Sequence, residues 1–207
     1  MSPSTITASK NRAGFTLIEL MVTLTLLAIM LMLAVPSFTQ WQRNNQIRSA
    51  AESLQNGLRL ARTQAMTLNR NVVFTLTNDV PDISITANSG GLNWTIQTIP
   101  LITGEAIQYI QGGNFASSVS GLTISGPGGP PPAASVAAVC FNAVGQQVNV
   151  ATPGTGVACV AGATSFVVSR TSAVDGNDRP LHVTLSFSGQ VRMCDPARPS
   201  GSPDACT

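Results

Sequence analysis

The sequence predicts an α+β fold in which one long N-terminal hydrophobic helix packs on an antiparallel β-sheet domain. An apolar run extends from residue 15 to residue 35 and carries a single charged side chain, Glu19. A helical apolar stripe continues to residue 69, and short β-branched and aromatic runs between turns occupy the remainder. These features divide the chain into a polar leader, a transmembrane half-helix, an amphipathic half-helix and a β-rich domain, at residues 1–14, 15–36, 37–69 and 70–207.

The composition excludes a strongly charged protein. The 207 residues suit one membrane helix and one domain of ordinary size. The net charge is +2 and only 10% of the residues are charged. This balance produces no global electrostatic field that would point to nucleic acid or to an acidic substrate.

The apolar run has the length of a membrane-spanning helix. Its roughly 21 residues at about 1.5 Å rise give about 30 Å, the thickness of a bilayer core. Lys10 and Arg12 precede the run, which predicts a cytoplasmic N-terminus and an outward C-terminal domain. The Glu19 carboxylate is costly in lipid and needs a partner. Cleavage between Gly14 and Phe15 would supply one, because the new α-ammonium group of a neighbouring copy could neutralise Glu19.

The segment Gly14-Phe-Thr-Leu-Ile-Glu-Leu20 resembles the processing site and N-terminal helix of type IV pilins and type II secretion pseudopilins. The resemblance implies that a prepilin peptidase cuts after Gly14 and methylates the amine of Phe15. It implies that Glu19 is the carboxylate used in assembly with other pilin or pseudopilin subunits. An ordinary secretory signal peptide is a poorer fit, because the apolar run is too long for one and contains a glutamate. A plain transmembrane anchor is the other alternative.

Pro36 falls where the apolar run ends. It removes one backbone donor and crowds the carbonyl of Met32, so a kink or a locally melted turn is expected there. The family resemblance covers a proline at this depth, where the helix is loosened in assembled filaments. Trp41 would then lie near the membrane surface, where an amphipathic ring is favoured.

The amphipathic half-helix carries one apolar face for about six turns. Its arginines lie off that face and are expected to be solvated, with an acidic partner as the alternative. The apolar positions are Ile47, Ala51, Leu54, Leu58, Ala61, Ala65 and Leu68, and the off-face charges are Arg43, Arg48, Glu52, Arg59, Arg62 and Arg70.

The β-rich domain is predicted from short runs of β-branched and aromatic residues that form one antiparallel sheet over the helix. A hairpin is expected around the turn at 142–145, and an exposed loop at 126–132, where Gly and Pro are dense. The predicted strands are 72–76, 94–99, 106–110, 122–124, 137–141, 147–150, 165–169, 182–187 and 189–193.

All four cysteines follow residue 139, which fits an oxidising compartment beyond the membrane. The sequence allows three pairings and does not choose among them, although local loop closure favours Cys140–Cys159 and Cys194–Cys206. A metal site is a weak alternative, because no Cys-x-x-Cys pair is present and His182 is the only histidine.

The β-rich region is similar to the globular domain of the branch that contains pseudopilin GspH and the minor pilins of the FimT and FimU type. The similarity lies in Cys140-Phe-Asn-Ala-Val-Gly145 and in the closing segment 187–196. It implies a pilin fold and a non-enzymatic minor pilin or pseudopilin, at the bacterial inner membrane with a periplasmic domain. No catalytic set, metal site or cofactor site is expected.

DNA is a possible further partner, as in pilins of the FimT type, where a Gly-Arg-x-Arg turn contacts DNA. This chain has Gly189-Gln-Val-Arg192, so the first arginine is missing. Arg192 and Arg198, together with Arg170 and Arg179, would form a small patch with weak, salt-sensitive binding. Ordinary surface arginines are the alternative.

Overall fold

The computed structural model describes residues 14–102, 104–115, 121–125, 137–170 and 178–206. Within them the chain forms one helix, α1 (Leu17–Thr67), followed by eight strands. The predicted α+β class is therefore confirmed. The strands are β1 (Val72–Thr77), β2 (Asn93–Thr98), β3 (Tyr109–Asn114), β4 (Leu122–Ser125), β5 (Ala138–Phe141), β6 (Thr164–Arg170), β7 (Leu181–Leu185) and β8 (Val191–Cys194).

The chain divides into two compact units, residues 1–41 and 42–207. The described part of the first unit is helical from Leu17 onward. The second unit contains the rest of α1 and all eight strands. Lys10, Arg12 and the predicted loop at 126–132 lie outside the described residues.

The strands form two antiparallel sheets, whereas the sequence predicted one. The first has the order β3-β2-β1-β5 and the second the order β4-β6-β7-β8. Neighbouring strands pair in register, for example Phe74 with Ile96 and Val183 with Met193. The β2–β3 pair has one irregularity, a register shift between Ile96 and Gln97. The number of sheets depends on pairings between distant strands, which the short-range sequence pattern does not record.

Two predicted strands differ from the observed ones: one is shifted along the chain and the other is not a regular strand. The run at 106–110 becomes β3, which begins at Tyr109 and continues through Gly112 and Gly113. Glycine is unfavourable in a strand by propensity, but a Cβ at Gly112 would collide with Pro81 and one at Gly113 with Trp94. The segment 147–150 makes only isolated bridges, although the turn at 142–145 is present and Gly145 N donates to Asn142 O.

The apolar face of α1 lies in the main core, between residues of both sheets. Six of the seven predicted positions, from Ile47 to Ala65, are fully buried. Leu68 was predicted wrongly, since 43% of it is exposed. The helix ends at Thr67, one residue before Leu68. Asn69 then adopts a left-handed φ of 50°, and Arg70 N donates to Ala65 O in a Schellman-type cap.

A second, smaller core lies on the other face of the first sheet and contains Val73, Ile99 and Ala138 with Cys140 and Cys159. Both favoured disulfides are present, Cys140–Cys159 in this core and Cys194–Cys206 at the chain end. The second one ties residues 195–206 to β8, and Asp195 N also donates to Asp204 O there. The disulfide prediction is therefore confirmed.

Candidate functional site

The predicted processing and assembly residues lie at the start of α1. Gly14 and Phe15 precede the helix, and 84% of Phe15 is exposed. Thr16 caps the helix, because its Oγ1 accepts a hydrogen bond of 3.3 Å from the backbone N of Glu19. The sequence Thr-x-x-Glu is typical of a capping box, and Glu19 in the first turn also complements the positive end of the helix dipole. Thr16 is a residue whose role the sequence reasoning missed.

The apolar side chains in the first turns of α1 are exposed in the described chain. The helix is long and apolar enough to cross a membrane, and none of its most apolar window is buried. The hydroxyls of Thr23 and Thr25 donate to the carbonyls of Leu20 and Val22, which satisfies these polar groups inside the helix itself. An exposed apolar surface of this length is typical of a segment that is covered by lipid or by other chains.

Pro36 lies within α1, and the helix is continuous through it. The expected kink at Pro36 and the loosening of the helix in assembled filaments stay predictions. Nearby, Trp41 is 61% exposed and its ring centroid lies 5.9 Å from that of Phe38. Such an exposed aromatic pair has the chemistry of a membrane-surface anchor.

The arginines of the amphipathic half-helix are not simply solvated, which corrects the sequence expectation. Arg62 Nε donates to Gly145 O at 2.9 Å, and Arg59 donates to Val191 O at 3.3 Å. Arg70 donates to Ile99 O and pairs with Glu105 at 2.7 Å. These contacts hold the last turns of α1 and the residues just after it to β8 and to loops of the domain.

Arg48 behaves as the sequence predicted. Its ion pair with Glu52 is exposed and spans one helical turn. Pairs of this kind contribute little to stability.

The four arginines of the proposed DNA patch do not form one surface. Arg179 and Arg198 line a cavity of about 260 Å³ together with Asp195 and Asp204. Arg198 is paired with both acids, at 3.9 and 3.1 Å. Arg170 donates to the side-chain oxygen of Gln46.

Arg192 lies in a different place, in a groove of about 390 Å³ beside Arg59 and Arg62. This grouping was not predicted, because Arg192 is far in sequence from the two helical arginines. The only available signal was the run of arginines off the apolar face of the helix.

His182 lies on β7, opposite Cys194 of β8. Burial lowers the pKa of His182, and the negative charge of Asp195 opposes part of that effect. Among the described residues no group of His, Cys, Asp and Glu side chains is placed to hold a metal ion.

Comparisons with known proteins agree with this architecture. A family model for the prokaryotic N-terminal methylation motif matches residues 9–35. A second, for the type II transport protein GspH, matches residues 50–189. A search of curated protein sequences gives no significant match.

Several solved structures are similar to this chain. The type IV minor pilin FimU of Pseudomonas aeruginosa has 19% identity and a TM-score of 0.50, over 81% of this chain and 99% of that one. The minor pseudopilin EpsH from the type 2 secretion system of Vibrio cholerae has 13% identity and a TM-score of 0.45, over 74% and 99%. At this identity the FimU structure shows a shared fold alone.

Proposed function

Because the chain belongs to the family of the type II transport protein GspH, we propose that it is a non-enzymatic minor pilin or pseudopilin processed at the inner membrane. The observation that carries the proposal is the methylation motif at residues 9–35, which contains the exposed apolar start of a helix long enough to cross a membrane. A membrane enzyme or a plain anchor would not need both features together.

The proposed assembly step uses the start of α1. A prepilin peptidase removes residues 1–14 and leaves the α-amine of Phe15 free to be methylated. The apolar residues that follow leave the bilayer for the helical bundle of a filament. Glu19 accompanies them, since its negative charge is neutralised by the α-ammonium group of a neighbouring subunit.

The β-rich unit would face the periplasm and make lateral contacts with other subunits. Its two disulfides support this location, because structural disulfides persist in oxidising compartments. The proposal covers a type IV pilus and a type II secretion pseudopilus equally, because both use the same processing and the same helix.

Mass spectrometry of the mature protein tests the proposal. We expect an N-terminal peptide that begins with N-methyl-phenylalanine at residue 15. A Gly14→Glu variant should keep its leader. Peptides from the unchanged remainder of the chain serve as the internal reference in the same measurement. An unprocessed wild-type chain, or one cut after the apolar run, would refute the family role proposed here.

DNA binding is a second candidate function, supported by the position of Arg192 beside Arg59 and Arg62. The pairing of Arg198 with two acids weakens it, because that arginine is less available to phosphate. Mobility shifts of duplex DNA with the full chain in detergent test this candidate. Arg192→Ala should weaken binding and lower the salt slope by about one unit, whereas unchanged binding would exclude this site.

A further inference from the structure

A groove between the last turns of α1 and strand β8 combines positive charge with exposed apolar side chains. We call it the arginine groove, and it is lined by Arg59, Arg62, Thr63, Met66, Gln190, Val191 and Arg192. Two turn tips stand at its rim, because Gly145 lies against Met66 and Arg62, and Gly189 against the carbonyl of Gly145. Val144 and Phe187 on these turns are 71% and 57% exposed.

A loop elsewhere on the same unit has the complementary chemistry. This acidic loop comprises residues 78–83, where Asp79 and Asp82 flank the 81% exposed Val80. One carboxylate oxygen of Asp79 accepts from Thr86 N, and one of Asp82 accepts from Ile83 N. The second oxygen of each has no partner among the described residues, so both carboxylates can accept from a guanidinium group.

The groove and the loop lie on opposite sides of the first sheet. Phe74 and Trp94 face α1, since a Cβ on Gly57 of the helix would lie 2.9 Å from the Phe74 ring. Gln97 has the opposite parity on β2, and its side-chain amide donates to the carbonyls of Asp82 and Ile83. The acidic loop therefore covers the sheet face turned away from α1 and cannot reach the groove of its own chain.

We propose that the acidic loop of one copy docks in the arginine groove of a second copy, with Val80 against Val144 and Phe187. The inference rests on the proposed function in that filament subunits are held side by side. The contact is heterologous, because two different surfaces meet, and it therefore builds a ring or an open row of copies instead of a two-fold dimer. Complementary charge sets the register of such a contact.

Duplex DNA is the competing occupant of the groove, and the observations favour the loop. Arg59 and Arg62 each donate to a backbone carbonyl, so the same remaining donors would serve a phosphate or a carboxylate, and the apolar side chains at the rim decide between the two occupants. The exposed apolar side chains of Val144 and Phe187 cannot bind a phosphate group, whereas they can pack against the apolar side chain of Val80.

Cysteine cross-linking between copies tests the proposal. The full chain is prepared in detergent as Val80→Cys and, separately, as Val144→Cys; the four native cysteines are already paired. A short bismaleimide should join the two variants when they are mixed. Val160→Cys, which is 62% exposed, replaces Val144→Cys as the matched control and should give at least about tenfold less product.

Charge reversal then tests the specificity of the contact. Arg192→Glu in the groove copy, or Asp82→Arg in the loop copy, should lower the cross-linked product at least about tenfold, because like charges then meet. Mixing the two reversed copies should restore it. Arg48→Glu, at an exposed helix position outside the groove, should leave it unchanged.

Two results would overturn the interface: equal product with the Val160→Cys control, or no restoration when both reversed copies are mixed. If Arg192→Glu abolishes duplex DNA binding but leaves cross-linking intact, the groove is a DNA site instead. Because the assay does not depend on processing, these failures leave the N-methyl-phenylalanine result standing and are distinguishable from failure of the proposed function.

Discussion

Arg62 Nε donates a hydrogen bond of 2.9 Å to the carbonyl oxygen of Gly145, which joins the last turns of α1 to the turn after β5. The same carbonyl lies directly under Gly189, so the turns at 142–145 and 186–189 are stacked at this point. One helical arginine thus binds a loop of the first sheet at the point where that loop packs on a loop of the second.

Replacing Arg62 with alanine should lower the free energy of unfolding by about 1 kcal/mol, because a partly buried charge-assisted hydrogen bond is lost. Urea unfolding of the full chain in detergent, followed by the fluorescence of the buried Trp94, measures the change. Arg48→Ala is the matched control and should cost less than about 0.5 kcal/mol. Equal effects of the two substitutions would contradict the bridging role of Arg62.

Gly189→Ala should destabilise the domain by more than about 2 kcal/mol. The residue has a φ of 79°, and a Cβ there would collide with the carbonyl of Gly145. Gly156→Ala separates the two causes, since Gly156 has a φ of 82° but no atom near its Cβ position. The control should cost about 1 kcal/mol from backbone strain alone. Thermal unfolding of the two variants measures the loss of stability. A similar loss for Gly189→Ala and Gly156→Ala would show that the stacked turns can move apart to accommodate the new Cβ.

Glu105 should make stability depend on pH in the acidic range. The backbone N–H of Leu101, followed by the Arg70 guanidinium, holds the pKa of Glu105 below its usual value of 4.5. A carboxyl group with a lowered pKa in the folded state stabilises the fold above its unfolded-state pKa, and this contribution disappears as the pH falls through the folded-state pKa.

Wild type should therefore be more stable than Glu105→Gln at neutral pH, and the difference should shrink as the pH falls below 4.5. Unfolding midpoints measured against pH for the two proteins provide the comparison. Glu52→Gln, in an exposed pair, is the control and should change stability little at neutral pH. A Glu105→Gln difference that is constant down to pH 2 would show that the charge of Glu105 is not involved.

Glu19→Val should leave cleavage after Gly14 intact but prevent efficient entry into filaments, since the α-ammonium group of a neighbour then has no carboxylate partner. Mass spectrometry of the N-terminus and the amount of subunit in sheared filaments give the two readouts. Glu19→Asp is the conservative control and should retain part of the incorporation. Normal incorporation of Glu19→Val would refute charge neutralisation as the role of this residue.

The sequence determined the features that depend on neighbouring residues. The apolar run, the buried stripe from Ile47 to Ala65 and most strands follow from periods of 3.6 and 2 that a short window records. The favoured disulfides were also foreseeable, because Cys140–Cys159 and Cys194–Cys206 close short loops. The role of Glu19 stays a prediction, since it depends on other subunits.

Only the tertiary structure decided how the strands divide into two sheets and what the arginines do. Arg62 and Gly145 are separated by 83 residues, and Arg59 and Val191 by 132. Local propensity contains no information about such pairs, because their contact energy arises only after distant strands have been brought together. The same reason explains why Arg192 joins helical arginines in a groove, while Arg198, six residues later, is neutralised by Asp195 and Asp204.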